Sequence, residues 1–301
     1  MSETFRSDEH QDAQSALAGH LYVVATPIGN LADLSPRGQA ILRSVDRICA
    51  EDTRNSGMLL SHFGISKPLS ALHEHNESGA VAGLVEQLQA GRSLAVISDA
   101  GTPLISDPGF VLVRAAREAG LPVITIPGPC AAIAALSVAG IASDAFSFVG
   151  FLPSKASQRR ERLRELGSTP HTLIVYESSH RIADCLDDLV AVLGAQRRVC
   201  LARELTKRFE QSVTLPAADL AAWLAADNNR TRGEFVLVIE GAPAASAGRA
   251  EHERLLRVLL KELSPSKAAR VAAELSGGRK SELYALAMQL GGGDDEAGRV
   301  E

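Results

Sequence analysis

The chain has 301 residues, of which 46% are hydrophobic and 4% aromatic, and its net charge is −5. This length is enough for two domains with cores of their own, and no apolar run reaches the roughly 20 residues that cross a bilayer. The net negative charge excludes a general electrostatic attraction to nucleic acid, so a polyanionic partner requires a local basic patch.

The amino-terminal residues 1–20 are acidic, with Glu3, Asp8, Glu9 and Asp12, and they lack an apolar segment. We therefore expect a disordered leader rather than a signal peptide. The four cysteines lack CxxC spacing and have no histidine cluster nearby. This pattern favours reduced thiols in a cytoplasmic protein and no metal site.

Strands and helices alternate through the first part of the chain. Such alternation is typical of βαβ units and a mostly parallel sheet, so residues 21–128 form a predicted first α/β lobe. The predicted strands are Leu21–Ala25, Arg47–Ala50, Leu94–Ile97 and Val123–Ile126, with a short apolar run at Pro68–Leu72, and the predicted helices are Pro36–Val45, Ser56–Phe63 and Ser78–Ala90.

The most informative segment of this lobe is Ser98–Gly109, which joins the strand Leu94–Ile97 to a predicted helix that begins at Phe110. It is longer than most strand-to-helix turns, which have only a few residues. Ligands of parallel α/β sheets bind outside the carboxyl ends of the strands. Two glycines and two prolines restrict its backbone, and Asp99 and Asp107 supply hydrogen-bond acceptors. We therefore expect a ligand-binding loop rather than an ordinary turn.

A second series of elements follows with different spacing, and residues 129–241 form a predicted second α/β lobe. The predicted strands are Phe146–Val149, Thr172–Tyr176, Val199–Ala202, Gln211–Leu215 and Phe235–Ile239, and the predicted helices are Ser157–Leu166, Ile182–Leu193 and Ala217–Ala226.

The last part of the chain predicts a small helical module. Residues 242–250 are rich in Ala, Ser and Gly, which is typical of a linker. Apolar residues recur at helical spacing through residues 251–290, and residues 291–301 are a predicted disordered tail. The three predicted helices are Glu251–Leu263, Ser266–Leu275 and Lys280–Leu290.

Neither GxGxxG after a strand nor GxxxxGK[ST] occurs, which disfavours dinucleotide redox chemistry and P-loop nucleotide hydrolysis. Instead, loops rich in Pro and Gly follow three predicted strands, at Thr26–Asn30, Asp99–Gly109 and Pro127–Cys130. Their backbone groups suit a neutral or zwitterionic ligand such as a methionine nucleoside. A single Gly or Pro indicates only a turn, so the prediction of a ligand-binding site depends on the three loops together.

Two segments concentrate positive charge. One lies around the predicted helix Ser157–Leu166, and seven further Lys and Arg residues lie between Arg254 and Lys280. Either segment is a solvated helix face or a patch that binds a polyanion. The first segment contains Lys155, Arg159, Arg160, Arg162 and Arg164.

Sequence motifs connect the chain to a known family. The amino-terminal motifs are Leu21–Asp33, Ala50–Arg54 and Ser98–Gly109, and they resemble the amino lobe of the tetrapyrrole methylase superfamily. The later motifs resemble one branch of it, the ribosomal RNA small subunit methyltransferases I. The resemblance covers about Leu21 to Gly241. These later motifs are Pro127–Ala131, Gly150–Pro153, Tyr176–Arg181, Ala202–Lys207 and Gly233-Glu234.

The resemblance implies the two-lobed tetrapyrrole methylase fold (class III methyltransferase), with a mostly parallel first sheet, a mixed second sheet and a small carboxyl-terminal helical module. It implies S-adenosylmethionine between the lobes, no metal, and a homodimer. This branch 2′-O-methylates a cytidine in the decoding region of small-subunit (16S) ribosomal RNA, so the expected partner is 16S rRNA or the small ribosomal subunit. The residues expected to bind or shape the cofactor site are Thr26, Pro27, Gly29, Asp99, Ala100, Gly101, Thr102, Asp107, Gly109, Pro127 and Gly128.

Methyl transfer from a sulfonium needs alignment, and the ribose hydroxyl must lose its proton to a base or charged acceptor. Structural roles stay open, because Glu177 with Arg181 and Glu204 with Lys207 have the spacing of helix-capping or ion pairs. The catalytic candidates are Glu51, Asp52, Glu177, His180, Glu204 and Lys207. The candidates for RNA phosphate contacts are Lys155, Arg159, Arg160, Arg181, Arg203 and Lys207.

Two other functions stay open at this point. A precorrin-type tetrapyrrole C-methyltransferase belongs to the same superfamily, but a small macrocycle needs neither basic segment. A non-catalytic ribosome-assembly factor binds RNA without the cofactor, and the glycines in all three loops count against it. The carboxyl-terminal helices either dock RNA or brace a dimer.

Overall fold

The computed structural model of the protein describes residues 15–73 and 76–291, which form two α/β lobes and a carboxyl-terminal group of three helices. Most of the predicted disordered leader (residues 1–14) and of the predicted disordered tail (residues 292–301) lies outside the described residues.

The described end of the leader, residues 15–20, is attached to the first lobe. The N–H of Ala16 donates to Ser44 Oγ at 2.8 Å, and the N–H of Leu17 donates to Tyr22 Oη at 2.9 Å. The prediction of disorder is therefore wrong for this short segment.

Within the described residues the first lobe contains a parallel sheet of five strands. These are Leu21–Val24 (β1), Arg47–Ala50 (β2), Leu69–Ala71 (β3), Leu94–Ile97 (β4) and Val123–Ile126 (β5). The strand order is β3-β2-β4-β1-β5, so β4 lies at the centre and the loop after it leaves the middle of the carboxyl edge. The helices of this lobe are Pro36–Ser44 (α1), Thr53–His62 (α2), Glu77–Gln89 (α3) and Phe110–Glu118 (α4).

Alternate residues of the strands face opposite helix layers. Tyr22 of β1 packs with Ile41 of α1, whereas the neighbouring Leu21 packs with Leu112 of α4. Both faces of β4 are covered, and all four of its residues are buried. This explains the continuous apolar run by which β4 was predicted.

Helix α2 begins three residues earlier than predicted. The Asp52 carboxylate accepts a hydrogen bond from the Arg54 N–H at 2.8 Å and so caps the helix at that point.

The second lobe is built on a mixed sheet of five described strands. These are Phe146–Phe151 (β6), Thr172–Ser178 (β7), Arg198–Arg203 (β8), Gln211–Pro216 (β9) and Glu234–Ile239 (β10). The order is β6-β7-β10-β8-β9, with β6 parallel to β7 and the other neighbours antiparallel. The helices are Ala131–Val138 (α5), Ala156–Leu166 (α6), Ile182–Leu193 (α7) and Ala217–Ala225 (α8). Helix α5 covers one face, and the other three helices cover the opposite face.

Three helices follow the second lobe at Ala244–Leu259 (α9), Pro265–Ser276 (α10) and Lys280–Gly291 (α11). They bury a small core of their own, which includes Leu256 and Leu283. The predicted linker 242–250 is wrong from Ala244 onward, because α9 begins there and alanine favours helix. Over the described ranges, none of the helices has both the length and the apolar character required of a membrane span.

Candidate functional site

A cavity of about 420 Å³ lies between the two lobes. The first lobe lines it mainly with the loop after β4, and the second lobe lines it with the ends of β7 and β10. Four of the predicted cofactor-binding residues are in its wall, namely Ala100, Gly101, Thr102 and Asp107. The loop that the sequence indicated therefore faces a space within the roughly 300–1,000 Å³ range of small-molecule sites.

The other predicted cofactor-binding residues are not part of this wall. Thr26 and Gly101 exchange two backbone hydrogen bonds, at 2.8 and 3.1 Å, and Gly101 has a φ of +87°. The Asp99 carboxylate accepts from the Asp52 N–H at 3.1 Å and from Asn55 Nδ2 at 2.8 Å, so it ties the loop to α2. The predicted residues outside the cavity wall are Thr26, Pro27, Gly29, Asp99, Gly109, Pro127 and Gly128.

The rest of the loop is held in an uncommon conformation. Leu104 and Ser106 have φ values of +72° and +75°, which costs on the order of 1–3 kcal/mol for each such residue. At the end of the loop, the buried Glu77 carboxylate accepts from the N–H groups of Gly109 and Val111, at 3.1 and 2.9 Å. Glu77 thus caps α4 from another helix. Sequence reasoning missed it, because a contact across so many residues leaves no local signal.

The cavity wall is acidic. Asp107, Glu177 and Glu234 line it, whereas no Lys, Arg or His of residues 15–73 and 76–291 does. Burial, together with the charges of Glu51 and Asp99, raises the pKa of Asp107 to about 6, although a hydrogen bond with Ser98 opposes these effects. A bound cation would relieve this repulsion, so the wall suits a ligand with positive charge.

Aromatic side chains of the second lobe complete the wall, and none of them was among the predicted site residues. The Tyr176 hydroxyl accepts from the Ala132 N–H at 3.1 Å, and burial raises the pKa of Tyr176. Phe148 and Phe151 contact the Tyr176 ring edge-on, with centroids 5.0 and 5.7 Å away. Tyr176 and Phe151 belong to two of the family motifs, but an aromatic residue in a strand is most often part of a core.

A turn after β8 brings Glu204 and Lys207 beside Glu234. Lys207 Nζ donates to Glu204 Oε1 at 2.9 Å and to Glu234 Oε2 at 2.8 Å. Partial burial lowers the pKa of Lys207, but the two carboxylates outweigh burial and the net shift is upward. Lys207 is therefore a cation and is not suited to accept a proton, while its place among the catalytic residues stays a prediction. Its stem packs against Gly29, where a side chain would collide with it.

The remaining catalytic candidates occupy different positions. Glu177 lines the cavity but is buried, and Arg181 Nη2 donates to its carboxylate at 3.1 Å. His180 is exposed and outside the wall. Hydrogen bonds from Arg54 lower the pKa of Asp52 to about 2, so Asp52 is an ionised helix cap. Of the six candidates, Glu177 alone is in the wall, while Glu51, Asp52, His180, Glu204 and Lys207 are outside it.

The first basic segment divides into a buried and an exposed part. The Arg159 side chain is 3% exposed, and its Nε donates to Asp188 Oδ2 at 2.6 Å, while Arg160 pairs with the other oxygen. Arg159 therefore joins α6 to α7, and the prediction that it contacts phosphate is wrong. Lys155 is exposed and Arg160 is half-exposed, so both remain available to a ligand.

Arg203 is a second correction to the predicted RNA contacts. It is buried at the end of β8, and its guanidinium donates to the backbone carbonyls of Phe209, Asn229 and Arg232 at 3.1, 2.9 and 3.0 Å. These bonds occupy the donors that a phosphate would need. Arg181 is partly engaged in the same way, since its Nη2 donates to the Leu152 carbonyl at 2.6 Å.

Comparison with known families and proteins agrees with this architecture. Residues 20–221 match the family described as Tetrapyrrole (Corrin/Porphyrin) Methylases, and residues 246–291 match the RsmI C-terminal HTH domain. Ribosomal RNA small subunit methyltransferase I of Xylella fastidiosa (strain Temecula1) is 54% identical over 88% of this chain and 98% of that protein. The protein of the same name from Escherichia coli O157:H7 is 51% identical over 94% of this chain and 99% of that protein.

Solved structures share the fold at low identity. A diphthine synthase matches with a TM-score of 0.56 and 13% identity, over 76% of this chain and 93% of that chain. The methyltransferase CobJ matches with a TM-score of 0.54 and 19% identity, over 75% of this chain and 95% of that chain. Together with the family match, these similarities confirm the predicted two-lobed tetrapyrrole methylase fold.

Proposed function

The chain belongs to the ribosomal RNA small subunit methyltransferase I family of tetrapyrrole methylases, and we propose that it methylates the 2′-oxygen of a cytidine in the decoding region of 16S rRNA. The methyl donor in this proposal is S-adenosylmethionine. The observation that carries it is the acidic cavity between the lobes, which is walled by the segments that carry the family motifs.

The cavity fits this donor in charge and surface. S-adenosylmethionine supplies an electrophilic methyl group on a sulfonium and also carries an ammonium. Three carboxylates and several apolar side chains line the cavity, and burial raises the pKa of Asp107, so a bound cation would stabilise its ionised form. The backbone of Ala100–Thr102 and the Asp107 carboxylate would hold it. Among the described residues, no group of three or more His, Cys, Asp or Glu side chains could hold a metal ion.

The acceptor hydroxyl needs a partner for its proton, and we assign this role to Glu234. It lines the cavity, its side chain is 80% exposed, and Lys207 Nζ orients one of its oxygens at 2.8 Å. The buried Glu177 carboxylate is instead held by Arg181, which suits a residue that positions β7. Lys207 as a cation would also stabilise negative charge that develops on the hydroxyl oxygen.

Exposed basic side chains beside the cavity would hold the RNA backbone. Lys155, Arg160, Arg162 and Arg164 project from the start and outer surface of α6, which follows the cavity residue Phe151 by a few positions. Phosphate contacts of this kind position RNA without reading its sequence. We also propose a homodimer that acts in the cytoplasm on 16S rRNA or the small subunit, as the family resemblance implies.

The direct test is a methylation assay with labelled donor on small ribosomal subunits from cells that lack this enzyme. We expect label at one cytidine 2′-oxygen, located by nucleoside mass spectrometry and mapping. Label only in a precorrin-type tetrapyrrole would instead support the C-methyltransferase. Absence of donor binding in calorimetry, with RNA binding retained, would support a non-catalytic assembly factor.

A further inference from the structure

Phe151 at the mouth of the cavity has a role that the cofactor does not explain. It is the last residue of β6, it lines the cavity, and yet 57% of its surface is exposed. Burial of an exposed aromatic ring against a ligand is strongly favourable. An aromatic side chain at the entrance of the cavity is therefore suited to contact the part of a substrate that stays outside the cavity.

Contacts of its neighbours position Phe151 at the end of β6. The next residue, Leu152, is buried in the core, and its carbonyl accepts from Arg181 Nη2 at 2.6 Å. The Phe151 ring packs edge-on against Tyr176, whose hydroxyl is bonded to the Ala132 N–H. The ring is thus supported from behind while the rest of its surface stays exposed, and little conformational entropy would be lost when a planar ligand stacks on it.

The first lobe presents an apolar side chain at the same mouth. Ile105 also lines the cavity, is 38% exposed, and lies between Leu104 and Ser106, both with positive φ. The loop approaches β6 closely, since a Cβ on Gly150 would be 3.7 Å from Ser106 Oγ. Strained backbone of this kind persists where it positions a functional group.

We propose that Phe151 and Ile105, one from each lobe, hold the target nucleobase between them while its ribose enters the cavity. This proposal rests on the proposed function and specifies how its nucleotide is bound. Proteins bind unpaired RNA bases by stacking them on aromatic rings, and stacking alone tolerates any base. Lys155, four residues after Phe151, is placed to contact a neighbouring phosphate.

The test compares Phe151→Ala with Phe151→Trp and with a control, Phe146→Ala, in the full-length protein. Phe146 lies on the same edge strand, is 42% exposed and is outside the cavity wall. Because Phe151→Ala removes the stacking interaction with the base, we expect it to lower kcat/KM for small subunits about 10-fold or more, mainly by raising KM. We expect Phe151→Trp to restore activity, and the calorimetric Kd for S-adenosylmethionine and the Tm to stay unchanged.

Ile105→Ala provides a second measurement, because side chains that grip one base are coupled. We expect the double variant with Phe151→Ala to lose less than the product of the two single losses. An equal loss of donor affinity in Phe151→Ala would show that the ring binds the cofactor, and full activity would show no role; either overturns the proposal. If the unaltered protein methylates no ribosomal RNA, the proposed function fails and this proposal fails with it.

Discussion

The first lobe meets the cavity mainly with one loop that contains Gly101, whereas the second lobe meets it mainly with residues of its strands. In the first lobe the loop after β4 places Ala100, Gly101 and Thr102 against the ligand space. In the second lobe most of the wall comes from strand residues such as Tyr176 and Glu234. A loop that binds a ligand through its backbone can be predicted from its glycines and prolines. A site made of strand side chains has no comparable pattern in a single sequence.

Both lobes have strained backbone close to the cavity. Among the described residues, the non-glycine residues with positive φ are Leu104 and Ser106 in the first lobe and Glu204 and Thr206 in the second. The first pair lies in the loop that walls the cavity, and the second lies in the turn that carries Lys207. Such conformations require support from surrounding structure, and their concentration on both sides of one cavity is typical of a functional site.

The largest effect is expected from Gly101→Val, which tests the backbone side of this comparison. Gly101 has φ +87°, and a Cβ there would be 3.2 Å from Ile28 Cγ2. We expect donor affinity to fall more than about 100-fold by calorimetry. Gly91→Val is the matched control, since Gly91 has φ +85° but no heavy atom within 4 Å of its Cβ position. Equal donor affinity in both folded variants would remove this loop from the site.

Next in size is the effect of Arg159→Ala on stability. Its removal leaves the buried Asp188 without one of its two partners, which costs about 3–5 kcal/mol for a buried pair. Arg162→Ala, in an exposed pair with Glu165, should change the free energy of unfolding by less than about 1 kcal/mol. Both are measured by urea denaturation. Similar small changes in both variants would contradict the stabilising role of the buried pair between Arg159 and Asp188.

Asp107→Asn should weaken binding of S-adenosylmethionine by about 10-fold at pH 8, because asparagine lacks the negative charge that attracts the positively charged groups of this ligand. Since the pKa of Asp107 is about 6, affinity of the unaltered protein should fall as the pH drops below 6, and the variant should not show this fall. The raised pKa means that ionised Asp107 destabilises the folded state as pH rises from about 4 through 6. The variant should therefore have a higher Tm at pH 8 but not at pH 4.

The control for that experiment is Glu51→Gln, which removes one charge that raises the pKa of Asp107. The pH at which donor affinity falls should then move to lower values. An unshifted profile would mean that another group controls the titration.

A smaller effect is expected from Lys155→Glu with Arg164→Glu, which tests the exposed part of the basic segment. We expect RNA affinity to fall several-fold and the slope of affinity against salt to decrease by about 1 for each phosphate that the variant no longer binds. Donor affinity and Tm should stay unchanged, because both side chains are exposed. An unaltered salt slope would identify this surface as an ordinary solvated helix face.

The smallest effect on the cofactor site is expected from truncation after Ala242. The three carboxyl-terminal helices have a core of their own, and the cavity is built entirely from earlier residues. Donor affinity should stay within about twofold, while methylation of small subunits should fall several-fold if α9–α11 dock RNA. A full rate would contradict that role. A loss of dimer in sedimentation would identify the helices as a brace.

Much of the fold could be predicted from local pattern. The bounds of β2, β4, β5 and α7 agree with those predicted, because short apolar runs and helical periodicity encode these elements locally. The predicted ends differ from the observed ones where a side chain determines them, as Asp52 does for α2. The linker prediction failed at Ala244, because Ala, Ser and Gly occur in linkers and alanine also favours helix.

The sequence by itself determined the two lobes, because their strands and helices have local apolar patterns. It also determined the loop after β4, because the glycines and prolines of that loop are visible in the sequence. Only the tertiary structure separated Arg159 and Arg203, which are buried, from Lys155, which is exposed, because charge in a sequence carries no information about burial. It likewise brought Glu77 to the start of α4 and Phe151 to the mouth of the cavity. These roles depend on contacts between residues far apart in the chain, and no local pattern encodes them.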